Sequence, residues 1–196
     1  MSEITFGLQA LVTLIVILDP PGATPLFLSL TGSRTRKEQV RIAWQAAATS
    51  LSVVTLFALF GQFIVTYLDI SIPALQGAGG LLLLLVSLEL LKGESETNST
   101  AKNLALVPLG TPLLAGPGAI VTIMLFSRQV DTTSFGLALA VAVIAAHLII
   151  GLTLMFATNI VALIKEAGVM LLAKIAGLLT AAIAFQMLIT GIKELL

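Results

Sequence analysis

The chain has 196 residues, of which 58% are hydrophobic and only 10% are charged, and ten basic residues balance ten acidic ones. A soluble domain carries about a quarter charged residues, so this composition predicts an integral membrane protein within the lipid bilayer. A neutral chain offers no basic face for nucleic acid, and the lack of cysteine excludes disulfides, thiolate metal sites and thiol catalysis.

Six apolar segments are long enough to cross a hydrocarbon core of about 30 Å, which requires roughly 20 helical residues. They lie near residues 4–31, 42–68, 73–92, 104–127, 134–164 and 168–192. The start, Met1-Ser2-Glu3, lacks the basic region of a cleaved signal peptide, so we expect the first segment to remain a helix. The predicted fold class is therefore an all-α membrane protein with six transmembrane helices.

The first segment is interrupted by the sequence DPPGATP at residues 19–25. The apolar residues 4–18 before it would rise only about 22 Å as a helix, which is short of a full span. Proline removes a backbone donor and glycine loosens the chain, so we expect two half-helices here. The fourth segment has a similar interruption, LAGPGA at 114–119. The first and fourth helices are thus predicted to be discontinuous.

The two interruptions belong to a repeat along the chain. Pro21-Gly22 aligns with Pro117-Gly118 at an offset of 96 residues, and Gly80 aligns with Gly177 at an offset of 97. Two nearly equal offsets in the same order predict a three-helix repeat at residues 1–92 and a second at 104–196. A polar linker at 93–103 (GESETNSTAKN) joins them within one membrane domain.

The basic residues predict the orientation. Eight of the ten lie in or beside the loops that follow segments one, three and five. Because basic loops stay in the cytoplasm, both termini are expected on the opposite, extracytoplasmic side. Three helices per repeat is an odd number, so the second repeat is predicted to be inverted relative to the first.

Asp19 is the strongest candidate for chemistry. A carboxylate at membrane depth is costly, and such groups usually serve substrate, ion or proton pathways. An alternative role is to cap the half-helix that begins near Pro20, and the two roles are compatible. Ala115 is its repeat counterpart, so the acid belongs to one half only.

The half-helices after the two breaks direct their partly positive N-terminal ends at the membrane interior. Inverted repeats bring these ends together, which favours an anionic group such as a substrate carboxylate held by backbone amides. Thr24, Thr111 and Thr122 could add hydroxyl contacts, although a bond from each threonine to its own helix is the more common arrangement.

His147, the only histidine, lies within segment five. A hydrogen-bonded structural role is the more common one for a buried histidine, and proton coupling is the alternative. The chain has no zinc-protease, nucleophile-elbow or Walker A motif, so we expect no enzyme activity, no metal site and no cofactor. Small residues at Ala74/Ala78 and Ala173/Gly177/Ala181 predict close helix packing, either within the bundle or in a homo-oligomer.

Two motifs resemble those of the MarC family of bacterial and archaeal inner-membrane proteins. Residues 19–27 (DPPGATPLF) match the D-P-x-G-x-x-P-x-F signature, and residues 108–117 (PLGTPLLAGP) are similar to the P-x-x-x-P-x-x-x-G-P motif. An archaeal branch of that family, SnatA, transports glycine and alanine with the proton gradient. The resemblance implies an amino-acid transporter in the inner membrane. It places the substrate site at Asp19, Pro20, Gly22, Thr24, Pro25, Gly116, Pro117 and Gly118.

The leading hypothesis is a secondary transporter of small neutral amino acids, with Asp19 or His147 carrying a coupling proton. The alternatives are an exporter or channel for other small solutes and a non-transporting accessory protein. The accessory role leaves the paired breaks unexplained.

Overall fold

The computed structural model describes residues 2–92 and 114–195, which form seven α-helices and no strand. The helices are α1 (Glu3–Leu18), α2 (Pro20–Thr31), α3 (Arg36–Tyr67), α4 (Ile72–Lys92), α5 (Pro117–Arg128), α6 (Thr133–Met155) and α7 (Ala157–Leu195). The all-α class predicted from the sequence is confirmed. The polar linker and the start of the fourth predicted span lie outside the described residues.

Four stretches are long and apolar enough to cross a membrane. They are Glu3–Leu28, Arg36–Tyr67, Thr133–Met155 and Met170–Leu195. Two shorter apolar stretches, Ile72–Leu88 and Gly118–Arg128, complete the apolar part of the described chain. The described residues therefore contain four candidate membrane spans, as expected for a multi-pass membrane protein.

The helix boundaries agree with the predicted segments in the first half and differ in the second. The expected fifth span to residue 164 instead ends at Met155, and a new helix begins at Ala157. Lys165 has a left-handed φ of 60° with ψ of 165°, so α7 comprises two helices separated by a kink. The kink at Lys165 falls in the predicted boundary between the fifth and sixth segments, whereas the break at Phe156 was not predicted, because the sequence has no proline there.

The first half of the chain packs mainly on the second half. The helix α1 contacts α6, α2 contacts α7, α3 contacts α5 and α6, and α4 contacts α5 and α7. The largest buried side chains include Phe6, whose ring packs against those of Phe126 and Phe135 at centroid distances of 5.7 and 5.1 Å. The core is thus formed between the halves rather than inside either one.

Glycine permits the closest of these approaches, between α4 and α7. A Cβ atom at Gly80 would lie 2.6 Å from the backbone nitrogen of Leu188, and one at Gly191 would lie 2.6 Å from the carbonyl oxygen of Pro73. The sequence predicted close packing of small residues on these helices, within the bundle or in a homo-oligomer. The two small residues predicted on α4, Ala74 and Ala78, are exposed.

Candidate functional site

The first break is centred on Asp19, whose backbone adopts a left-handed conformation (φ 45°, ψ 66°) between α1 and α2. Two consecutive prolines follow it, and neither has an N–H group to continue the ladder of α1. The Asp19 N–H still donates to the Ile15 carbonyl at 3.1 Å, and the Asp19 carbonyl accepts from the Ala23 N–H at 2.8 Å. One residue therefore ends one helix and begins the next.

The two oxygens of the Asp19 carboxylate lie in different environments. Its Oδ1 atom accepts a hydrogen bond from the Gly22 N–H at 3.1 Å, which caps the N-terminus of α2. Its Oδ2 atom is buried and has no hydrogen-bond partner among the described residues, while the whole side chain is 7% exposed. Because an unpartnered buried oxygen is costly, Oδ2 is the atom of this residue available to a ligand or a proton.

The prolines also free carbonyl groups at the end of α1. The Val16 carbonyl would normally accept from residue 20, which is proline, and it accepts instead from the Thr180 hydroxyl of α7 at 3.2 Å. Thr180 is buried. Sequence reasoning missed this residue, because a threonine within an apolar helix carries no signal for a partner on another helix.

Two further carbonyls of α1 lack the usual donor four residues later. For Ile17 that donor would be Pro21, which has no N–H, and for Leu18 it would be Gly22, whose N–H is bonded to the Asp19 carboxylate. The last turn of α1, which ends at Asp19, therefore has carbonyl oxygens without an α-helical donor. Such a group of oxygens suits a cation, for example an ammonium group.

The remaining predicted residues of the first break have structural roles. Pro20 is buried at the first position of α2, where its missing N–H costs nothing. Thr24 donates its hydroxyl hydrogen to the Pro20 carbonyl at 2.7 Å, the expected bond to its own helix. Pro25 is exposed, and Gly22 is partly buried and provides the capping N–H.

The second break is built from apolar residues. Helix α5 begins at Pro117 after Gly116, which has an extended backbone and makes no side-chain capping bond. Leu114 and Ala115 are buried before it. A Cβ atom at Gly118 would lie 2.5 Å from Cδ1 of Leu83, so glycine lets α4 pack directly on the start of α5.

Thr122, one turn beyond this start, is buried, and its hydroxyl has no hydrogen-bond partner in the described part of the chain. It therefore differs from Thr24, since a bond to its own helix was the expected arrangement for both. Thr111 lies outside the described residues. The hydroxyl of Thr122 is the second buried polar group left open beside the breaks.

His147 occupies a different position, between α6 and α3. Its Nδ1 atom lies 2.8 Å from the Val143 carbonyl, and its Nε2 atom lies 3.1 Å from the Ser50 hydroxyl. A carbonyl only accepts, so Nδ1 carries the hydrogen and Ser50 donates to Nε2. Both ring nitrogens are thus occupied by partners other than Asp19.

The structure brings the two breaks into one core and holds the histidine by separate contacts. Residues flanking both breaks belong to a single buried hydrophobic cluster, including Leu18, Ala23, Leu114, Ala115 and Ala119. The half-helices α2 and α5 thus begin within the same core. Their shared surroundings are apolar apart from Asp19 and the threonines.

Known proteins match along nearly the whole chain. A family model described as "MarC family integral membrane protein" matches residues 4–196. A UPF0056 membrane protein of Methanocaldococcus jannaschii is 34% identical over 97% of this chain and 98% of its own length. Similar proteins from Aquifex aeolicus (29% identity, 96% of this chain and 92% of the relative) and Bacillus subtilis (26%, 96% and 95%) carry the same description. No solved structure matches. The chain therefore belongs to the MarC family of integral membrane proteins.

Proposed function

We propose that the protein is a secondary transporter of small neutral amino acids of the glycine and alanine type. The observation that carries the proposal is the first break, where the buried Asp19 Oδ2 atom has no partner in the described chain and the last turn of α1 has carbonyls without helical donors. A broken membrane helix with an unpartnered carboxylate suits a polar ligand better than it suits simple packing.

The proposed architecture is six transmembrane helices in two inverted repeats. Under the offset of 96 to 97 residues, α2 corresponds to α5, α3 to α6 and the first turns of α7, and α4 to the later part of α7. The contact of α2 with α7 then corresponds to that of α4 with α5, and the contact of α2 with α6 to that of α3 with α5. Ser50 and His147, which share a hydrogen bond, are themselves 97 residues apart. These matched contacts support the repeat.

In this proposal the two ends of an amino acid meet different groups. The ammonium group binds Asp19 Oδ2 and the carbonyls of α1, because all of these are acceptors. The carboxylate binds amide N–H groups at the half-helix N-termini. Three of the buried residues flanking the breaks, Ala23, Ala115 and Ala119, have small side chains, which supports a small substrate.

Asp19 is also the proposed carrier of a coupling proton. His147 is the weaker candidate, since its two ring nitrogens contact Val143 and Ser50 and neither contacts Asp19. We further propose that the protein lies in the cell inner membrane with both termini outside the cytoplasm, following the distribution of basic residues.

Uptake of labelled glycine and alanine into proteoliposomes, with and without a pH gradient, tests this function. Asp19→Asn keeps a capping oxygen and is expected to fold while losing about tenfold or more of the uptake and its response to the gradient. The matched control is Asp69→Asn, because Asp69 also has a left-handed backbone (φ 54°) but is exposed.

Two results would contradict the proposal at different points. Unchanged uptake by Asp19→Asn at every pH would remove Asp19 from the mechanism. A folded wild-type protein without saturable uptake of any amino acid would instead favour a channel, an exporter of other solutes or an accessory protein.

A further inference from the structure

The hydroxyl of Thr180 is the group that joins the second repeat to the first break. It donates to the Val16 carbonyl, and it does so from α7, which is 164 positions away in the sequence. Like the Ser50–His147 pair, it forms a side-chain hydrogen bond between helices that are far apart in the sequence. Its acceptor is the carbonyl that Pro20 leaves without a backbone donor.

We propose that Thr180 is a positioning residue, which holds the first break in the geometry that presents Asp19 to the substrate. The inference rests on the transport function proposed above. Val16 lies three residues before Asp19, and the carbonyl of Val16 and the left-handed turn at Asp19 belong to the same helix end. By holding the Val16 carbonyl in place, the Thr180 hydroxyl also fixes the orientation of the last turn of α1, which leads into the left-handed turn at Asp19.

The corresponding position in the first repeat makes a contact of a different kind. Leu83 lies 97 residues before Thr180, and it packs against Gly118 at the start of α5. Each third helix of a repeat thus contacts the interrupted helix of the other repeat, α7 at Val16 before the first break and α4 at Gly118 after the second. The contact at the first break is a hydrogen bond, and the acid and the freed carbonyls belong to the same break.

Loss of the hydroxyl would leave the part-buried Val16 carbonyl without a donor. The carbonyl would then compete for the substrate ammonium, or the end of α1 would rotate toward another donor and displace Asp19. Either change weakens substrate binding more than it slows the movement of bound substrate. The expected signature is a raised half-saturating concentration with a nearly unchanged maximal rate.

The variants Thr180→Val, Thr180→Ser and Thr180→Cys separate the hydroxyl from the shape of the side chain. Valine keeps the volume and removes the donor, serine keeps the donor, and cysteine supplies a weak one. We expect Thr180→Val to raise the half-saturating concentration of glycine about tenfold, with serine near wild type and cysteine between them. If the valine protein does not fold, the order of serine and cysteine still tests the donor.

Thr153→Val is the matched control. Thr153 is partly exposed on α6 and its hydroxyl bonds to the Ile149 carbonyl of its own helix, so loss of that hydroxyl should leave transport unchanged. Equal uptake by Thr180→Val and wild type would overturn the proposal. So would an equal defect in the serine and valine variants, since that result would assign the effect to packing of the methyl group.

A second readout does not depend on transport. The chain has no cysteine, so Ala23→Cys introduces a single thiol at a buried position at the start of α2. The accessibility of this thiol reports how closely the break is packed. We expect Thr180→Val to raise its rate of modification by a membrane-permeant maleimide at least fivefold, and Thr153→Val to leave it unchanged. An unchanged rate overturns the positioning role, whereas a raised rate without amino-acid uptake by the wild type retains it and rejects the transport function.

Discussion

Gly80→Ala tests the closest approach between the two halves of the molecule. A Cβ atom at this position would lie 2.6 Å from the backbone nitrogen of Leu188 and 2.7 Å from the carbonyl oxygen of Ala184. Both atoms belong to the backbone of α7 and cannot rotate away as the end of a side chain can. The two helices would have to separate along the contact that joins α4 to α7.

Gly77→Ala provides the matched control, because it lies one turn earlier on α4 and its Cβ would meet nothing within 4 Å. Alanine favours a helix over glycine by about 0.5–1 kcal/mol, and both variants gain this amount. The difference between them therefore isolates the overpacking cost, which is about 1–3 kcal/mol. In a chain of this size each kcal/mol corresponds to about 2–4 °C, so the Gly80 variant should unfold about 2–12 °C below the Gly77 variant.

The measurement is the fraction of purified protein that remains monodisperse in size-exclusion chromatography after heating, with the fluorescence of the single residue Trp44 as a second probe. Gly191→Ala should reproduce the loss from the other side, since its Cβ would lie 2.6 Å from the Pro73 carbonyl oxygen. Equal midpoints for the Gly80 and Gly77 variants would refute the reasoning. Equal midpoints would show that the close approach of α4 to α7 does not require glycine at position 80.

Two further substitutions probe the buried polar groups. Ser50→Ala leaves Nε2 of His147 without a donor and should lower stability by about 1–3 kcal/mol, measured as a lower thermal midpoint than that of Ser52→Ala. Ser52 is exposed and bonds only to its own helix, so equal midpoints would argue against the histidine contact. Thr122→Val removes a buried hydroxyl without a partner in the described chain, so the midpoint should stay the same or rise. A lowered midpoint would reveal a partner for that hydroxyl, while weaker glycine uptake at unchanged stability would identify it as a substrate contact.

The local sequence was sufficient to predict the breaks themselves. Proline cannot donate a backbone hydrogen bond, so residues 20–21 end α1 whatever surrounds them, and Asp19 before them is a favoured cap. The bond of Thr24 to its own helix follows from the same local chemistry. The all-α class follows from composition alone, because a membrane helix satisfies its own backbone groups.

The contacts that hold the breaks in place could not be predicted in this way. Thr180 and Ser50 are single hydroxyl residues in apolar helices, and their partners are 164 and 97 positions away. The repeat offset would have paired Ser50 with His147, had it been applied to polar residues as well as to glycines. No comparable signal marks Thr180, whose repeat counterpart is a leucine, or the break between α6 and α7 at Phe156.

The difference between the two breaks bears on how a carrier with inverted repeats would hold its substrate. Two identical halves would offer an amino acid two equivalent orientations, since each half could take either charged end. Here the first break has a carboxylate and freed carbonyls, whereas the second has Ala115 and an uncapped helix N-terminus. Acceptors at one break and amide donors at the other match the ammonium and carboxylate ends of one molecule in one direction only. An amino acid has two unlike ends, so a carrier with two repeats needs unlike breaks to hold it in one orientation. The pairing of Asp19 in one repeat with Ala115 in the other provides this difference.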